Sequence, residues 1–317
     1  MIMLNKLWIN IFPTERKVEE ASLERVSGDT VRLTVRRSFR WTSGQHAYIL
    51  APTIAKLPFE AHPFTIASVY SKEAHKDGRM QELVFIIRGR NGFTKRLLET
   101  SETRQSIPVI IDGPYGAPPR LSHYSTCIFL AGGSGVSYTL PLLLDLLRQV
   151  KSGEGVAQRI LFVWVVRDAS HINWIGTLLQ EALQGYPPTL QLTINIHVTQ
   201  QNLSELLRVN MKTEETMPVE SKQSLAEKST SSLLSPHVVK VLGGRPDIGA
   251  ILEEELSCAC GRASIDVSGP SALADAARDA LVKCKEAQPA AVLGGVPRTT
   301  LHVEVSCQKH DGIYPVH

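Results

Sequence analysis

Residues 127–135, CIFLAGGSG, form an apolar run that passes directly into a glycine-rich turn. The run has the length of a buried strand, and the residues that follow, 136–150, are predicted to be helical. Glycines let a backbone approach a ligand closely, and a helix N-terminus offers unpaired N–H groups and positive potential. The pattern therefore favours a dinucleotide pyrophosphate site at Gly132, Gly133, Ser134 and Gly135; a tight turn without a ligand is the alternative.

The sequence beyond this turn keeps the same rhythm, because short apolar runs alternate with helix-like stretches. The other apolar runs lie at 160–166, 190–198, 238–242, 265–267 and 301–305. The helix candidates lie at 136–150, 171–184, 247–256 and 271–285. Short β-branched runs separated by helices indicate a doubly wound α/β domain with a parallel sheet.

Two arginines follow predicted strands of this domain. Arg167 comes directly after the run 160–166, and Arg245 comes shortly after the run 238–242. Because the carboxyl ends of the strands face one crevice in such a sheet, both side chains are candidates for a clamp on a 2′-phosphate, which favours NADPH over NADH. The alternative is local pairing, of Arg167 with Asp168 and of Arg245 with Asp247.

The part of the chain before this domain is rich in strand patterns. Val31, Leu33 and Val35 alternate with polar residues after a turn signal at 27–29. Further strands are predicted at 46–50, 83–87 and 109–111, together with a short helix from Phe93 and a turn at 112–116. Several short strands with one helix predict a small β-barrel.

One run in the β-rich part combines an imidazole, an aromatic ring and two hydroxyls. It reads His62-Pro63-Phe64-Thr65-Ile66-Ala67-Ser68. Such a set could hold a flat polar ring, with Phe64 stacking, Thr65 hydrogen bonding and His62 directed toward an anion. An ordinary strand with Phe64 in the core is the alternative.

These patterns divide the chain into an N-terminal segment (1–19), a β-barrel domain (20–122) and an α/β domain (123–317). Residues 201–236 interrupt the α/β rhythm, since they are rich in Ser, Thr, Glu, Lys and Gln and cannot bury enough apolar surface to fold alone. We expect a disordered surface insertion there; a regulatory phosphorylation segment around Ser229–Ser232 is the alternative.

The overall composition excludes several classes of protein. With 43% hydrophobic residues the chain can build cores, so global disorder is excluded, and a net charge of +3 gives no reason to expect nucleic acid. The five cysteines show only a lone C-x-C, at Cys258 and Cys260, so no metal site is predicted. No run approaches the roughly 20 apolar residues of a membrane helix, and we expect the chain to be soluble or at most peripheral to a membrane.

Five short motifs are spread along the chain in a definite order. They are Trp41-x-x-Gly44-Gln45-His46, His62-Pro63-Phe64-Thr65, Gly132-Gly133-Ser134-Gly135, Trp164-x-x-Arg167-Asp168 and Gly244-Arg245-Pro246-Asp247. In order and spacing they resemble the cytosolic dehydrogenase region of the fungal ferric reductase and NADPH oxidase family, over nearly the whole chain. The wider group is similar to ferredoxin–NADP reductases, which implies an FAD-binding β-barrel domain joined to an NADPH-binding α/β domain.

The resemblance implies a role for each matching position. Phe64 would lie against the isoalloxazine of FAD, Thr65 near its reactive edge and His62 toward the pyrophosphate. Further FAD contacts are implied for Pro63, Ser68, Arg88, Gly92 and Thr94. The glycine turn would hold the NADPH phosphates, Arg167 and Arg245 the 2′-phosphate, and Ser268-Gly269-Pro270 would lie beside the nicotinamide. Thr65 and Ser268 are the candidate catalytic residues.

The chain departs from the family pattern in three places. Ser268 replaces the usual cysteine, so we expect slower hydride transfer rather than none. The end of the chain lacks the aromatic residue that the family stacks on the flavin, and Tyr314 is a poor substitute. The membrane part with paired heme-binding histidines is missing from the sequence.

The resemblance implies an NADPH-dependent FAD oxidoreductase of the ferric-chelate reductase type, in which NADPH passes hydride to FAD and FAD passes single electrons onward. The expected acceptor is a heme-bearing membrane domain or protein, or a ferric chelate. The expected location is the cytoplasmic face of a membrane if such a partner is attached, and the cytoplasm otherwise. A freestanding soluble flavin reductase and a non-catalytic remnant of a truncated ferric reductase are the alternatives.

Overall fold

The computed structural model describes residues 18–57, 60–200, 238–287 and 299–305. Within them the chain forms two compact units, the first ending at Pro118 and the second beginning at Pro119. The predicted N-terminal segment up to residue 17, the predicted insertion 201–236 with Ser229–Ser232, and the tail with Tyr314 lie outside the described residues. None of the described helices combines the length and the apolar composition that a membrane span requires.

The first unit is an antiparallel sheet with strand order β4-β3-β6-β1-β2-β5. Its strands are β1 Glu19–Ser27, β2 Thr30–Arg37, β3 His46–Leu50, β4 Ala61–Thr65, β5 Gln81–Arg88 and β6 Ser106–Tyr115, and its helices are α1 Lys72–Lys76 and α2 Gly92–Thr103. The Ala67 N–H, just after β4, donates to the Val84 carbonyl of β5 over 2.8 Å and so links the two edge strands. The sheet therefore curls on itself in the manner of the predicted barrel.

The barrel core follows from the alternation in its strands. Val31, Leu33 and Val35 are at most 1% exposed, and Phe93 and Leu97 of α2 pack into the same core. The turn predicted at 112–116 begins too early, because β6 continues through Tyr115. The strand passes this point with a register shift opposite His46 and Tyr48, and Gly113 takes a φ of 144° that other residues rarely adopt.

The second unit is a parallel sheet with strand order β10-β9-β8-β7-β11-β12. Its strands are β7 Thr126–Gly132, β8 Arg159–Val166, β9 Gln191–Val198, β10 Val239–Gly243, β11 Ala263–Gly269 and β12 Thr299–Val305. Its α-helices are α3 Val136–Lys151, α4 Gly176–Leu183, α5 Ile248–Ser257 and α6 Ser271–Ala287. This is the doubly wound architecture that the apolar runs predicted.

One helix prediction in this unit is wrong. The single helix expected over 171–184 is a 3-10 segment, Ala169–Trp174, followed by the separate helix α4. Asp168 accepts a hydrogen bond from the Ser170 N–H and starts the 3-10 segment, while Ile175, with a φ of −124°, lies outside helical geometry. The break therefore comes from a side-chain cap, which hydrophobic periodicity does not report.

The strand order places a topological switch between β7 and β11. The chain winds from β7 through β8 and β9 to β10, and then returns to the other side of β7 as β11. Ala131 of β7 lies opposite Ser268 of β11, and Gly132 lies opposite Val165 of β8, so the carboxyl ends of these strands are level. In open α/β sheets, ligands bind in the crevice at such a point.

Candidate functional site

The glycine turn after β7 packs directly against the end of β11. A Cβ built on Gly135 would lie 2.1 Å from the Ser268 carbonyl oxygen, and one on Gly132 would lie 2.6 Å from Cδ of Pro270. Gly269 has a φ of 154°, and its own Cβ would lie 2.9 Å from the Gly132 backbone. Close packing of protein on protein therefore requires a glycine at each of these three positions, whatever ligand the turn also holds.

A hydrogen bond from Trp164 holds the middle of the turn. The indole N–H of this fully buried residue of β8 donates to the Gly133 carbonyl over 2.9 Å. Gly133 has a φ of 55°, a left-handed conformation that glycine adopts without a steric cost. The next carbonyl, of Ser134, accepts a hydrogen bond from the Ser137 hydroxyl at 2.9 Å. These contacts hold the turn at the start of α3, where the helix N-terminus favours an anion.

The two arginines of the predicted clamp are both exposed. Val166 lies opposite Val198, and Val198 lies opposite Gly243, so the ends of β8, β9 and β10 are level and Arg167 and Arg245 follow them at one sheet edge. In the described part of the chain, neither arginine forms an ion pair. Asp168 instead caps the 3-10 segment, and Asp247 caps α5 by accepting from the Ala250 N–H at 3.1 Å. Among the described residues, Arg167 therefore does not pair with Asp168, nor Arg245 with Asp247, and the clamp stays a prediction.

Ser268, predicted beside the nicotinamide, is only 3% exposed. Its backbone carbonyl faces Gly135, and it shares the level of Ala131 in the sheet. Pro270 follows it and packs on Gly132. The segment Ser268-Gly269-Pro270 is therefore brought together with the glycine turn, while a contact of the Ser268 hydroxyl with a ligand stays a prediction.

In the first unit, His62 lies at the start of α2. Its imidazole stacks on the ring of Phe93, with 4.3 Å between centroids and an angle of 24°. The N-cap residue Asn91 makes no side-chain cap, and Gly92 enters the helix with a φ of 54°. An imidazole beside an uncapped helix N-terminus is a suitable place for a phosphate group.

Glu60 was missed by the sequence reasoning, although it stands two residues before His62. Its carboxylate is 2.8 Å from Nε2 of His62 and 3.2 Å from Nη2 of Arg96 on α2, and it accepts the Lys56 N–H. Burial alone would raise the pKa of Glu60, but the hydrogen bonds of His62 and Lys56 and the charges of His62 and Arg96 lower it. The ionised carboxylate therefore ties β4 to α2 and orients the imidazole.

Phe64 and Thr65 point to opposite faces of β4. Phe64 pairs with Ala47 and is half-buried against the barrel core, with its ring 6.3 Å from that of Phe93. Thr65 pairs with His46 on the other face of the strand. Pro63 is exposed on the same face as Thr65. The structure thus combines both interpretations of Phe64, as a core residue with a partly accessible ring. Stacking of Phe64 on a flavin and a contact of Thr65 with its edge stay predictions.

Three other predicted FAD contacts already have protein partners. The Ser68 hydroxyl accepts the Val84 N–H at 3.2 Å, and its carbonyl accepts the Trp41 indole N–H at 2.9 Å. Nε of Arg88 lies 2.6 Å from Asp29 in the β1–β2 turn. The Thr94 hydroxyl accepts the Arg90 N–H and donates to the Asn91 carbonyl, which shapes the turn into α2. These side chains have structural roles, and their contacts with a cofactor are untested.

Comparison with known proteins assigns both units to domain families. Residues 124–282 match the family model described as ferric reductase NAD binding domain, and residues 15–119 match that of an FAD-binding domain. The two matches follow one another in the order barrel, then α/β domain. The match to the ferric reductase NAD binding domain therefore covers strands β7 to β11 with the glycine turn, and the match to the FAD-binding domain covers the barrel with His62 and α2.

Fungal ferric reductases are among the similar curated proteins. A probable cell surface ferric reductase, kap2, of Aspergillus oryzae is 29% identical over 185 residues, which cover 56% of this chain and 24% of that protein. Ferric reductase transmembrane component 5 of Saccharomyces cerevisiae is 30% identical over 250 residues, covering 75% of this chain and 32% of that protein. The chain thus spans about a quarter to a third of the length of these relatives.

Solved structures agree on the fold. The flavohemoglobin of Malassezia yamatoensis with bound FAD and heme has a TM-score of 0.54 at 14% identity, with 96% of this chain and 64% of that chain covered. Full-length CYP116B46 from Tepidiphilus thermophilus has a TM-score of 0.56 at 18% identity, with coverages of 93% and 29%. Both domain families match in the order barrel, then α/β domain, and the α/β match is to the ferric reductase NAD binding domain. The chain therefore belongs to the ferric reductase family of flavin-dependent oxidoreductases.

Proposed function

We propose that this chain is the NADPH-oxidising module of a ferric reductase system, which takes electrons from NADPH through FAD to a separate acceptor. When bound, the nucleotide supplies a hydride, and the flavin accepts it and releases electrons one at a time. The observation that carries the proposal is the sheet edge at which the glycine turn, Arg167 and Arg245 are level. The residues of this edge bind and orient; the cofactors supply the redox chemistry.

Strand order supports a proposed position for each part of NADPH along this edge. The pyrophosphate fits the turn at Gly133 and the start of α3, where backbone N–H groups and the helix N-terminus meet. Arg167 and Arg245, at the ends of β8 and β10, would hold the adenosine half, since their guanidinium forks suit a 2′-phosphate. Ser268-Gly269-Pro270 after β11 would hold the nicotinamide half. Arg167 follows the strand next to β7, and Arg245 follows the third strand from β7. Neighbouring strands are about 4.8 Å apart.

For FAD, the residues around the start of α2 fit a pyrophosphate. The uncapped N-terminal turn at Gly92 offers N–H donors, and the imidazole of His62, held by Glu60 and Phe93, lies beside it with its Nε2 N–H donated to Glu60. Phe64 and Thr65 at the end of β4 are the proposed contacts of the flavin ring. The fit rests on chemistry that an ordinary barrel strand would not need, namely an imidazole held beside an uncapped helix.

The acceptor and the location are proposals that rest on the relatives. Several of these are named as transmembrane components of ferric reductases. We propose as acceptor a heme-bearing membrane domain or protein, or a ferric chelate, with this chain at the cytoplasmic face of a membrane. Purified full chain with FAD should reduce ferricyanide with NADPH, and its flavin absorbance should bleach under anaerobic conditions. A flavin that stays oxidised with excess NADPH would instead support the non-catalytic remnant.

Replacement of both Phe64 and Thr65 by alanine should weaken FAD binding at least about tenfold, because a stacking face and a hydrogen bond are lost together. FAD affinity is measured by titration of flavin fluorescence. Phe39→Ala is the matched control, since Phe39 is also a partly buried ring packed against the barrel core. Wild-type protein that takes up no FAD even in excess would refute the proposed function, whereas equal losses in double variant and control would show only a role in the core.

Loss of either clamp arginine should lower kcat/KM for NADPH by about ten- to a hundredfold, because a hydrogen bond to a charged group contributes about 1.5–3 kcal/mol. The variants are Arg167→Ala and Arg245→Ala, assayed by steady-state kinetics with NADPH and with NADH. NADH lacks the 2′-phosphate, so its kcat/KM should be nearly unchanged.

The control for the clamp is Arg278→Ala, which removes an exposed arginine of α6 that pairs with Asp275 in the same unit. This variant should leave both nucleotides unaffected. Equal falls for NADPH and NADH in the Arg167 or Arg245 variants would indicate a structural role for that arginine. Unchanged values for both nucleotides would remove the clamp from the site.

A further inference from the structure

Two exposed thiols stand two residues apart after α5. Cys258 is the C-cap of this helix, and Cys260 follows in the turn that leads to β11. Cysteine is usually among the most buried residues of a protein, as Cys127 is here, so a solvent-exposed pair within three residues is unusual. The pair lies outside every group of residues assigned to FAD or NADPH above.

The turn that carries the two thiols is fixed by the protein. The Ser125 hydroxyl donates to the Cys260 carbonyl and to the Arg262 carbonyl, the latter at 3.1 Å. Gly261 has a φ of 79°, and a Cβ there would lie 2.9 Å from the Ser125 hydroxyl. Sγ of Cys260 points back to the Cys258 carbonyl, at 4.0 Å. The backbone thus holds Cys260 folded toward Cys258 and not away from it.

The geometry of this turn is compatible with a bond between the two sulfur atoms. Two residues of chain span at most about 7 Å between Cα atoms when extended, and a disulfide needs roughly 4.4–6.8 Å. Ala259 is the single residue between the two cysteines, and a bend of the backbone at this residue shortens the span into the disulfide range.

Both thiols are accessible to a disulfide in solution, because both side chains are exposed. Sγ of Cys260 is directed back toward Cys258. We therefore assign the first step to Cys258 and the second step to Cys260, whose sulfur already points toward its partner.

We propose that Cys258 and Cys260 form a dithiol site that exchanges with low-molecular-weight disulfides of the glutathione type. The Cys258 thiolate attacks one sulfur of the disulfide, so a mixed disulfide forms and one glutathione thiolate leaves. Cys260 then attacks Sγ of Cys258, the second glutathione leaves, and an intramolecular disulfide closes. Two protein thiols are oxidised, one disulfide is reduced to two thiols, and the two protons pass to the released thiols.

The test uses the full chain, reduced and desalted, then incubated with glutathione disulfide and mapped by peptide mass spectrometry. We expect the peptide that contains both cysteines to become lighter by two hydrogen atoms. With iodoacetamide, Cys258 should be labelled at least roughly tenfold faster than buried Cys127. In Cys260→Ser the mixed disulfide on Cys258 should accumulate, and neither single variant should form the intramolecular disulfide.

Cys284→Ser is the matched control, because Cys284 is a partly exposed thiol of the same unit and should play no part. NADPH affinity of Cys258→Ser should equal that of wild type, since the thiols lie at the amino end of β11 and the nucleotide residues at its carboxyl end. The proposal fails if wild type stops at a stable glutathione adduct, if neither thiol reacts faster than Cys127, or if Cys284→Ser prevents the disulfide.

Discussion

Gly135→Ala should destabilise the nucleotide-binding unit by about 3 kcal/mol and abolish NADPH binding with it. The added Cβ would lie 2.1 Å from the oxygen and 2.5 Å from the carbon of the Ser268 carbonyl, and 2.9 Å from the Gly269 nitrogen. All three atoms belong to backbone, so no side-chain rotation can relieve the contact. Either the glycine turn or the end of β11 must move, and both are proposed to hold the nucleotide.

The cost comes from space alone, because Gly135 has φ −60° and ψ −16°, which any residue adopts. Gly176→Ala is the matched control: this glycine begins α4 in the same unit, and its Cβ would meet nothing within 4 Å. The control should be neutral or slightly more stable. Thermal unfolding followed by tryptophan fluorescence and NADPH titration measure both effects. An unchanged melting temperature in Gly135→Ala would show that β11 does not pack as described.

The parallel sheet could be predicted well because its strands are buried on both faces and therefore read as continuous apolar runs. The run 127–131 lies within β7, and the run 160–166 lies within β8. The strands of the barrel were harder to predict from the sequence. In β1, Ala21 and Leu23 are the fully buried side chains, and the seven remaining positions are half-buried or exposed. Such a strand gives a weak alternation, and its residues were placed in a β-rich region without a strand of their own.

The candidate site could be predicted in position more than in detail. The sequence could place the glycine turn and the two arginines at one sheet edge, because the carboxyl ends of parallel strands lie together. Glu60 was missed, since its partners His62 and Arg96 lie on different elements and sequence spacing cannot report the contact with Arg96. Arg88 was assigned to FAD by resemblance, and its ion pair with Asp29 joins residues 59 apart in the chain.

The group that the sequence predicts least well is a buried carboxylic acid in β11, two residues before Ser268. Asp266 of β11 is 0% exposed, accepts a hydrogen bond from the Ser264 hydroxyl at 2.8 Å, and its other oxygen has no partner among the described residues. His302 of β12 lies opposite it in the sheet, and burial lowers the pKa of that imidazole. Burial raises the pKa of Asp266 from 3.8 to about 7, although the Ser264 bond opposes the shift. Nothing in the alternation of β11 distinguishes this residue from a surface aspartate.

Asp266→Asn should remove a loss of stability that wild type suffers as pH rises. Below about pH 4 both folded and unfolded chains carry the proton, so Asp266 contributes no penalty there. Between about pH 4 and pH 7 the unfolded chain loses the proton while the folded chain keeps it. The free energy of unfolding then falls by about 1.4 kcal/mol per pH unit, roughly 4 kcal/mol in all, and is level above pH 7. Asparagine does not titrate, so the variant should lack this slope.

Urea unfolding at pH 5, 6, 7 and 8, followed by the fluorescence of buried Trp164 and Trp174, measures the effect. The amide adds a buried N–H donor and shifts the variant by a constant amount, so the informative quantity is the difference between the two proteins as pH changes. That difference should move by about 3 kcal/mol in favour of the variant from pH 5 to pH 8.

Tyr138, Cys127 and His302 also face the carboxyl, and the raised pKa values of the first two keep them neutral throughout this range. Asp275→Asn, an exposed aspartate of α6, should run parallel to wild type at every pH. Parallel curves for Asp266→Asn as well would mean that Asp266 is ionised in the folded protein, with water or a cation reaching its second oxygen.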